Sequence, residues 1–332
     1  MDQGRLNVIG LEEHIATADL FAAWRRFGTR DVAMELTERV AEPLMDLGEG
    51  RLRAMDEAGI DTAVLSVTTP GLQQLPASEA LALQAPTNDV IADAVGRHPN
   101  RFQGFATLAT SSPGRAAREI ERCIVDLGLH GIMLHSLSAG DFLDAQRYWD
   151  IFEAADHYRA PIYLHPSSPP AAVAARYYGG LGDAIGGVLG TGAPGWHYQT
   201  GIALLRLIMS GLFDRFPNLQ VIVGHWGEMV LFYLDRIALL DGFATLDRPL
   251  DEYFRTNVFI TPGGIASHRY LRWAIEVVGI DRIMHASDYP FNSAQDFAAR
   301  DFLTTALLSD DDQQKIAHRN WDAISQQVRR VH

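Results

Sequence analysis

The chain has 332 residues, 28 basic against 41 acidic, and a formal net charge of −13. That length suits one large α/β barrel of about 250 residues with insertions, or two ordinary domains, with a core that needs no disulfide or structural zinc. The acidic balance excludes a non-specific nucleic-acid binder and a partner for anionic membranes. All basic residues but one are arginine, Lys315 being the only lysine. That removes, almost wholesale, Schiff-base chemistry, P-loop phosphate binding and a lysine bridging two metals. Cys123 is the only cysteine, so no intrachain disulfide forms and the compartment is not constrained to be oxidising. The segment 1–7 is polar and lacks a signal-peptide core, and the longest charge-free stretch, 184–205, carries glycines, Pro194, His197 and Gln199. We expect a soluble, cytoplasmic protein.

Apolar, often β-branched runs recur at residues 6–10, 62–67, 102–108, 131–134, 161–164, 220–224, 257–261 and 282–286. Most lack strict alternation, the pattern of strands buried on both faces of a parallel sheet. Helical periods lie between them: Ile120, Cys123, Ile124 and Leu127 share a face, as do Tyr148, Phe152 and Ala155, and then Leu205, Ile208 and Leu212. Eight strands alternating with helices predict an α/β fold, a (β/α)8 TIM barrel formed by residues 1–332 as a single domain. A doubly wound open sheet is the alternative. Two connections are long. One follows the first strand, from Ile15 to about Gly50, with Phe21 and Trp24. The other follows the fifth, from Pro166 to about Gln199, with Trp196 and His197. Both leave strand C-terminal ends, where barrel active sites lie, so we expect lids or pocket walls.

Potential metal ligands gather at the same ends: Glu12, Glu13 and His14 after the first strand, His135 after the fourth, and His165 after the fifth. His225 and Glu228 follow the sixth, and Asp288 the eighth. Residues two apart on an extended segment project to one side, so Glu12 and His14 can both enter the barrel mouth. Carboxylate oxygen with imidazole nitrogen suits Zn²⁺, Mn²⁺ or a related ion. Each histidine taken alone is more often structural than a ligand.

The segments Leu11-Glu12-Glu13-His14, Leu164-His165-Pro166, Gly224-His225-Trp226-Gly227-Glu228 and Ser287-Asp288-Tyr289-Pro290-Phe291 resemble, in order along the chain, the metal-dependent decarboxylase branch of the amidohydrolase superfamily. The resemblance implies that Glu12, His14, His165 and Asp288 hold one divalent ion, Zn²⁺ or Mn²⁺ with Mg²⁺ also possible, and that no organic cofactor is needed. It implies catalytic roles for Asp288, His225 and Glu228, with Glu228 orienting His225; Glu228 could instead cap a helix beginning there. It implies that Arg236, two turns along that helix, binds substrate carboxylate, sometimes across a subunit boundary in a homodimer or homotetramer. A surface ion pair is the alternative for Arg236. Phe291, Tyr289, Trp196, His135 and one of Phe21 or Trp24 are the expected substrate-binding residues. Tyr289 and His135 depart from the branch, where tryptophan and an amide or small residue are usual. With no lysine at the fourth strand, a lysine-bridged pair of metals is excluded.

The resemblance implies a non-oxidative carboxy-lyase acting on a hydroxylated aromatic carboxylic acid of the 2-hydroxybenzoate or dihydroxybenzoate type. The alternative is a mononuclear metal hydrolase or hydratase acting on a lactone, amide or conjugated acid. A non-catalytic metal-binding barrel is a third reading. Cys123 reads as a small core residue, and Lys315, His268 and His318 as exposed. His197 is left open between a loop position and the pocket.

Overall fold

The computed structural model describes residues 5–28, 32–292 and 298–331. Seven parallel strands form one curved sheet: β1 (Ile9–Ile15), β2 (Thr62–Val67), β3 (Phe102–Thr107), β4 (Gly131–His135), β5 (Ile162–His165), β6 (Val221–Val223) and β7 (Val258–Ile260). Each pairs with the next in sequence. The eighth stave is not a regular strand. Ile283 bridges Ile260, and Tyr289 bridges Glu13. Met284 N–H donates to Ile260 O (2.9 Å) and Leu11 N–H to His285 O (3.1 Å). The ring therefore closes as the expected TIM barrel, with its last seam held by a few bonds instead of a ladder.

Period two decides which side chains fill the barrel. Val64, Phe105, Met133, Tyr163 and Ile222 pack inside it, while Leu65, Leu134, Leu164 and Val223 face the outer core beneath the helices. Trp321 and Ile324 of the helix Asn320–Ser325 join the inner cluster. Trp321 meets Phe105 edge-on at 5.6 Å, and its Nε1–H donates to Gln103 Oε1 at 2.7 Å near the start of β3. The C-terminal helix thus plugs the N-terminal end and leaves the opposite mouth open.

Several boundaries differ from expectation. β1 starts later than residue 6 and runs through Glu12 and His14, because a bulge between Gly10 and Glu13 carries the pairing with β2 onward. Both long connections are largely helical. The first holds helices Ala18–Phe27, Val32–Arg39 and Ala41–Met45; the second holds Ala171–Tyr177, Asp183–Gly190 and the start of Gly195–Met209. Pro170 and Pro194 are N-cap residues there; proline suits a helix start as well as a loop, since no intrahelical N–H is needed at that point. His268 and His318 are half-buried, not exposed. His268 stacks on Phe302 at 4.7 Å, and His318 bonds Asp322 and Gln314. Lys315 is part-exposed and Cys123 buried. No helix among the described residues is long and apolar enough to cross a membrane.

Candidate metal centre and active site

The bulge in β1 sets the site. Ile9 and Leu11 face the barrel interior, but the four β1 residues from Gly10 to Glu13 run beside three on β2, Ala63 to Leu65. An extra residue reverses side-chain parity, so beyond it Glu12 and His14 turn into the mouth. Glu13 takes the other side. It is buried and accepts from Ser287 N–H at 3.1 Å and from Ser287 Oγ at 2.9 and 2.7 Å. Burial pushes its carboxyl up to about 7. This clamp anchors Ser287 beside Asp288, whose φ is 60°.

One donor atom from each of Glu12, His14, His165 and Asp288 lies within 4.8 Å of the others. His14 Nε2 is 3.3 Å from Asp288 Oδ1, and His165 Nε2 is 3.1 Å from Glu12 Oε1. Glu12 Oε1 and His14 Nε2 are buried and reach no partner at hydrogen-bond geometry. Their outward-facing partners are in place. Tyr163 Oη donates to Glu12 Oε2 at 2.5 Å, which leaves Thr261 Oγ1 to donate to Tyr163 at 2.7 Å. His165 Nδ1 lies 2.8 Å from Pro166 O, so it donates there and Nε2 faces the cluster. Ser66 Oγ lies 3.3 Å from His14 Nδ1. Orphaned inner atoms with satisfied outer ones are the signature of a ligand set oriented by its surroundings.

The charges follow from burial and neighbours. Burial works to raise Glu12, but His225, His165 and His14 outweigh it and hold it at about 2. Burial and the Glu12 charge push Asp288 well above the usual carboxylate range. Burial keeps His14 well below the usual histidine value. For His225, burial opposes the charge, yet Glu228 and Glu12 win and push it up to about 10.

His225 and Glu228 lie on an unexpected backbone. Residues His225, Trp226, Gly227, Glu228 and Met229 all have positive φ, from 50° to 84°. The segment is a left-handed turn, not the start of a helix, so a helix cap is not what Glu228 provides. It turns Glu228 back under His225, with Oε1 2.8 Å from His225 Nδ1. Glu228 Oε2 is 2.8 Å from His197 Nδ1. Gly201 on the neighbouring helix allows this approach, since a Cβ there would stand 2.5 Å from Glu228 O.

A cavity of about 310 Å³ opens above these groups, at the small end of the range for small-molecule pockets and sized for one ring. Trp196, His197, His225, Asp288 and Phe291 line it, with Ala33, Leu36 and Thr37 from the first insertion. Phe291 meets His14 edge-on at 5.8 Å. Thr68 Oγ1 lines it too, without a hydrogen-bond partner.

Five candidate pocket residues lie elsewhere. Tyr289 packs under the Arg51 guanidinium at 4.8 Å and is outside the lining. His135 sits behind His165, edge-on at 5.4 Å, against Gly71, where a Cβ would be 2.5 Å from its ring. Phe21 and Trp24 are core residues, and Trp24 Nε1–H donates to Gly71 O at 2.8 Å, tying the first insertion to the loop after β2. Arg236 is exposed on the short helix Leu234–Ile237, which is separate from the left-handed turn, and has no ion pair among the described residues. Sequence reasoning missed Tyr163, although it lies two residues before His165 on one strand face. It also left His197 undecided.

A closed parallel barrel carrying buried histidines and carboxylates at its C-terminal mouth defines a metal-assisted enzyme of the amidohydrolase kind. The chain belongs to the Amidohydrolase family (Amidohydro_2), whose pattern matches residues 18–320. It is 34% identical over 327 residues to a gamma-resorcylate decarboxylase of Polaromonas sp. (strain JS666), covering 94% of this chain and 96% of that one. A solved structure of 5-carboxyvanillate decarboxylase from Novosphingobium aromaticivorans DSM 12444 holds manganese and 3-methoxy-4-hydroxy-5-nitrobenzoic acid; it matches with a TM-score of 0.88 and 32% identity over 98% of each chain. A dihydroxybenzoic acid decarboxylase from Polaromonas sp. JS666, with manganese and the inhibitor 2-nitroresorcinol, matches with a TM-score of 0.85 and 30% identity, covering 96% of this chain and 97% of that one.

Proposed function

We propose that the chain is a carboxy-lyase that removes CO₂, without oxidation, from a hydroxylated aromatic acid of the 2-hydroxybenzoate or dihydroxybenzoate type. Glu12, His14, His165 and Asp288 hold one divalent ion, Mn²⁺ or Zn²⁺ with Mg²⁺ as a further option, and no organic cofactor takes part. When bound, such an ion would supply positive charge to offset an anionic substrate. The observation that carries the proposal is Asp288. It belongs to the ligand cluster and lines the ring-sized cavity, and burial with the Glu12 charge raises its carboxyl above the usual carboxylate range.

The Asp288 carboxyl delivers its proton to the ring carbon that bears the carboxylate. That carbon becomes tetrahedral, the bond to the carboxylate breaks, and CO₂ leaves with aromaticity restored. His225 faces Glu12 through Nε2 (3.9 Å) and returns a proton towards Asp288, while Glu228 holds its Nδ1. Trp196 and Phe291 wall the ring. The same site runs carboxylation at high CO₂, since a catalyst lowers both directions. The hydrolase or hydratase reading is not favoured, because the full-length relatives are named decarboxylases.

The test is CO₂ release from a hydroxybenzoate panel by manganese-loaded enzyme. Activity on at least one member is expected, and Asp288→Asn is expected to abolish it. No CO₂ from any member, together with hydrolysis of a lactone or ester, would reverse the proposal. We also propose a homodimer or homotetramer. Its interface would use the exposed Phe232 and Phe243, at 69% and 89% exposure, near Arg236, so that Arg236 serves a neighbouring site. Sedimentation analysis tests this, a monomer at micromolar concentration being the contrary result.

A further inference from the structure

A chain of hydrogen bonds leads from the second insertion into the site. Trp196 Nε1–H donates to His197 Nε2 at 3.1 Å. Indole nitrogen only donates, so His197 Nε2 accepts and the ring proton lies on Nδ1. That Nδ1–H points at Glu228 Oε2, 2.8 Å away. The other oxygen of the same carboxylate takes the Nδ1–H of His225, also at 2.8 Å. Glu228 is thus gripped at both oxygens by two imidazoles whose rings lie 4.5 Å apart. All these groups but Trp196, which is part-exposed, are buried or nearly so.

His197, His225 and Glu228 also bring one donor atom each within 4.8 Å, a spacing a second ion could use. The pairing at 2.8 Å already accounts for the two imidazole Nδ1 atoms and both carboxylate oxygens. Trp196 occupies the remaining nitrogen of His197. The cluster is therefore a hydrogen-bonded relay.

The terminal torsion of a glutamate is broad and two-fold, so a carboxylate bonded at one oxygen keeps rotational freedom. A second bond removes it. We propose that His197 is a positioning residue for the decarboxylation. By holding Glu228 Oε2, it fixes the Glu228 carboxylate plane and with it the ring orientation of His225. Trp196, a wall of the cavity, sets the tautomer of His197 in turn, so substrate packed on Trp196 bears on the same relay. This assignment of a role rests on the function proposed above.

The test is a double-mutant cycle in the manganese-loaded enzyme. His197→Ala is expected to lower kcat by about 10–100-fold, the usual effect of losing an orienting partner, with KM and bound manganese unchanged. His197→Asn, whose amide N–H can replace Nδ1–H toward Glu228, is expected to recover most of that loss. Glu228→Gln and the double variant His197→Ala/Glu228→Gln are expected to be equally slow, because both losses run through one carboxylate. Wild-type kcat in His197→Ala, multiplied losses in the double variant, or His197→Asn as slow as His197→Ala would each overturn the proposal.

Should the wild type release no CO₂ from any substrate, the functional reading fails on its own. The relay is then decided in histidine-¹⁵N-labelled enzyme. Two carboxylate-bonded imidazole N–H proton resonances are expected, and His197→Ala must shift or broaden the one belonging to His225. An unmoved His225 resonance overturns the relay.

Discussion

Tyr163→Phe isolates one hydroxyl beneath the metal centre. Tyr163 is wholly buried inside the barrel, with its ring 6.2 Å from Phe105, and phenylalanine keeps that packing. Lost are the 2.5 Å bond to Glu12 Oε2 and the acceptor for Thr261 Oγ1. Burial and the Glu12 charge push the Tyr163 hydroxyl well above its usual pKa, so it is protonated and donating at any working pH. A hydrogen bond to a charged group contributes about 1.5–3 kcal/mol, and the stranded carboxylate oxygen makes the upper end the better guide. An orienting partner of a ligand changes metal affinity by about 10–100-fold, or roughly 1.4–2.8 kcal/mol. The two ranges agree. Calorimetric titration of metal-free enzyme with Mn²⁺ should show that weakening, and the melting temperature should fall by several degrees. Wild-type manganese affinity with an unchanged melting temperature would refute the role of Tyr163 in orienting Glu12.

Three further expectations concern stability and access. Burial, with a smaller effect of the Arg330 charge, lowers His130 to about 4, and burial lowers His285 to about 3. Unfolded histidine titrates near 6.5, so the unfolded state binds more protons; stability is full above about pH 6.5 and falls toward pH 3, by up to about 1.4 kcal/mol per pH unit for each histidine. Urea midpoints from pH 7 to 4.5 check this, and His130→Gln should flatten the slope. Ser287→Ala removes both hydroxyl contacts to Glu13; we expect about 2–3 kcal/mol of lost stability and a slower enzyme, read by urea unfolding and kcat, because the turn presenting Asp288 loses its anchor. Burial pushes the Cys123 thiol up, and it has no exposed surface, so iodoacetamide should label it only in denaturant; rapid labelling of the native enzyme would contradict that packing.

The staves of the barrel were legible because residues buried on both faces are largely apolar, without interruption in β6 and β7. The cluster at the mouth was legible because its members follow such runs. What escaped depends on geometry that composition does not carry. One extra residue in β1 reverses the facing of Glu12 and His14, and no residue type announces a bulge. Gly227 is the only glycine among five left-handed residues, so Gly224 to Met229 reads as an ordinary helix entry. The second insertion, rich in glycine, alanine and proline, suggests a loop, yet its helices carry Trp196 and His197 to the site. Tyr289 illustrates the reverse error. Adjacent to Asp288 in sequence, it points the other way, under Arg51. Arg51 is itself buried and donates to His14 O at 2.6 Å and to Pro43 O at 3.1 Å.

Lys315 forms its ion pair with Asp281 at 2.9 Å, just ahead of Ile283, on the side from which the eighth stave enters the barrel. The mouth is at the other end. Apart from the α-amino group, this is the one primary amine on the chain. Among side chains, amine-directed coupling of a dye or a solid support would therefore have one target, with the cavity turned away from that attachment and open to solvent.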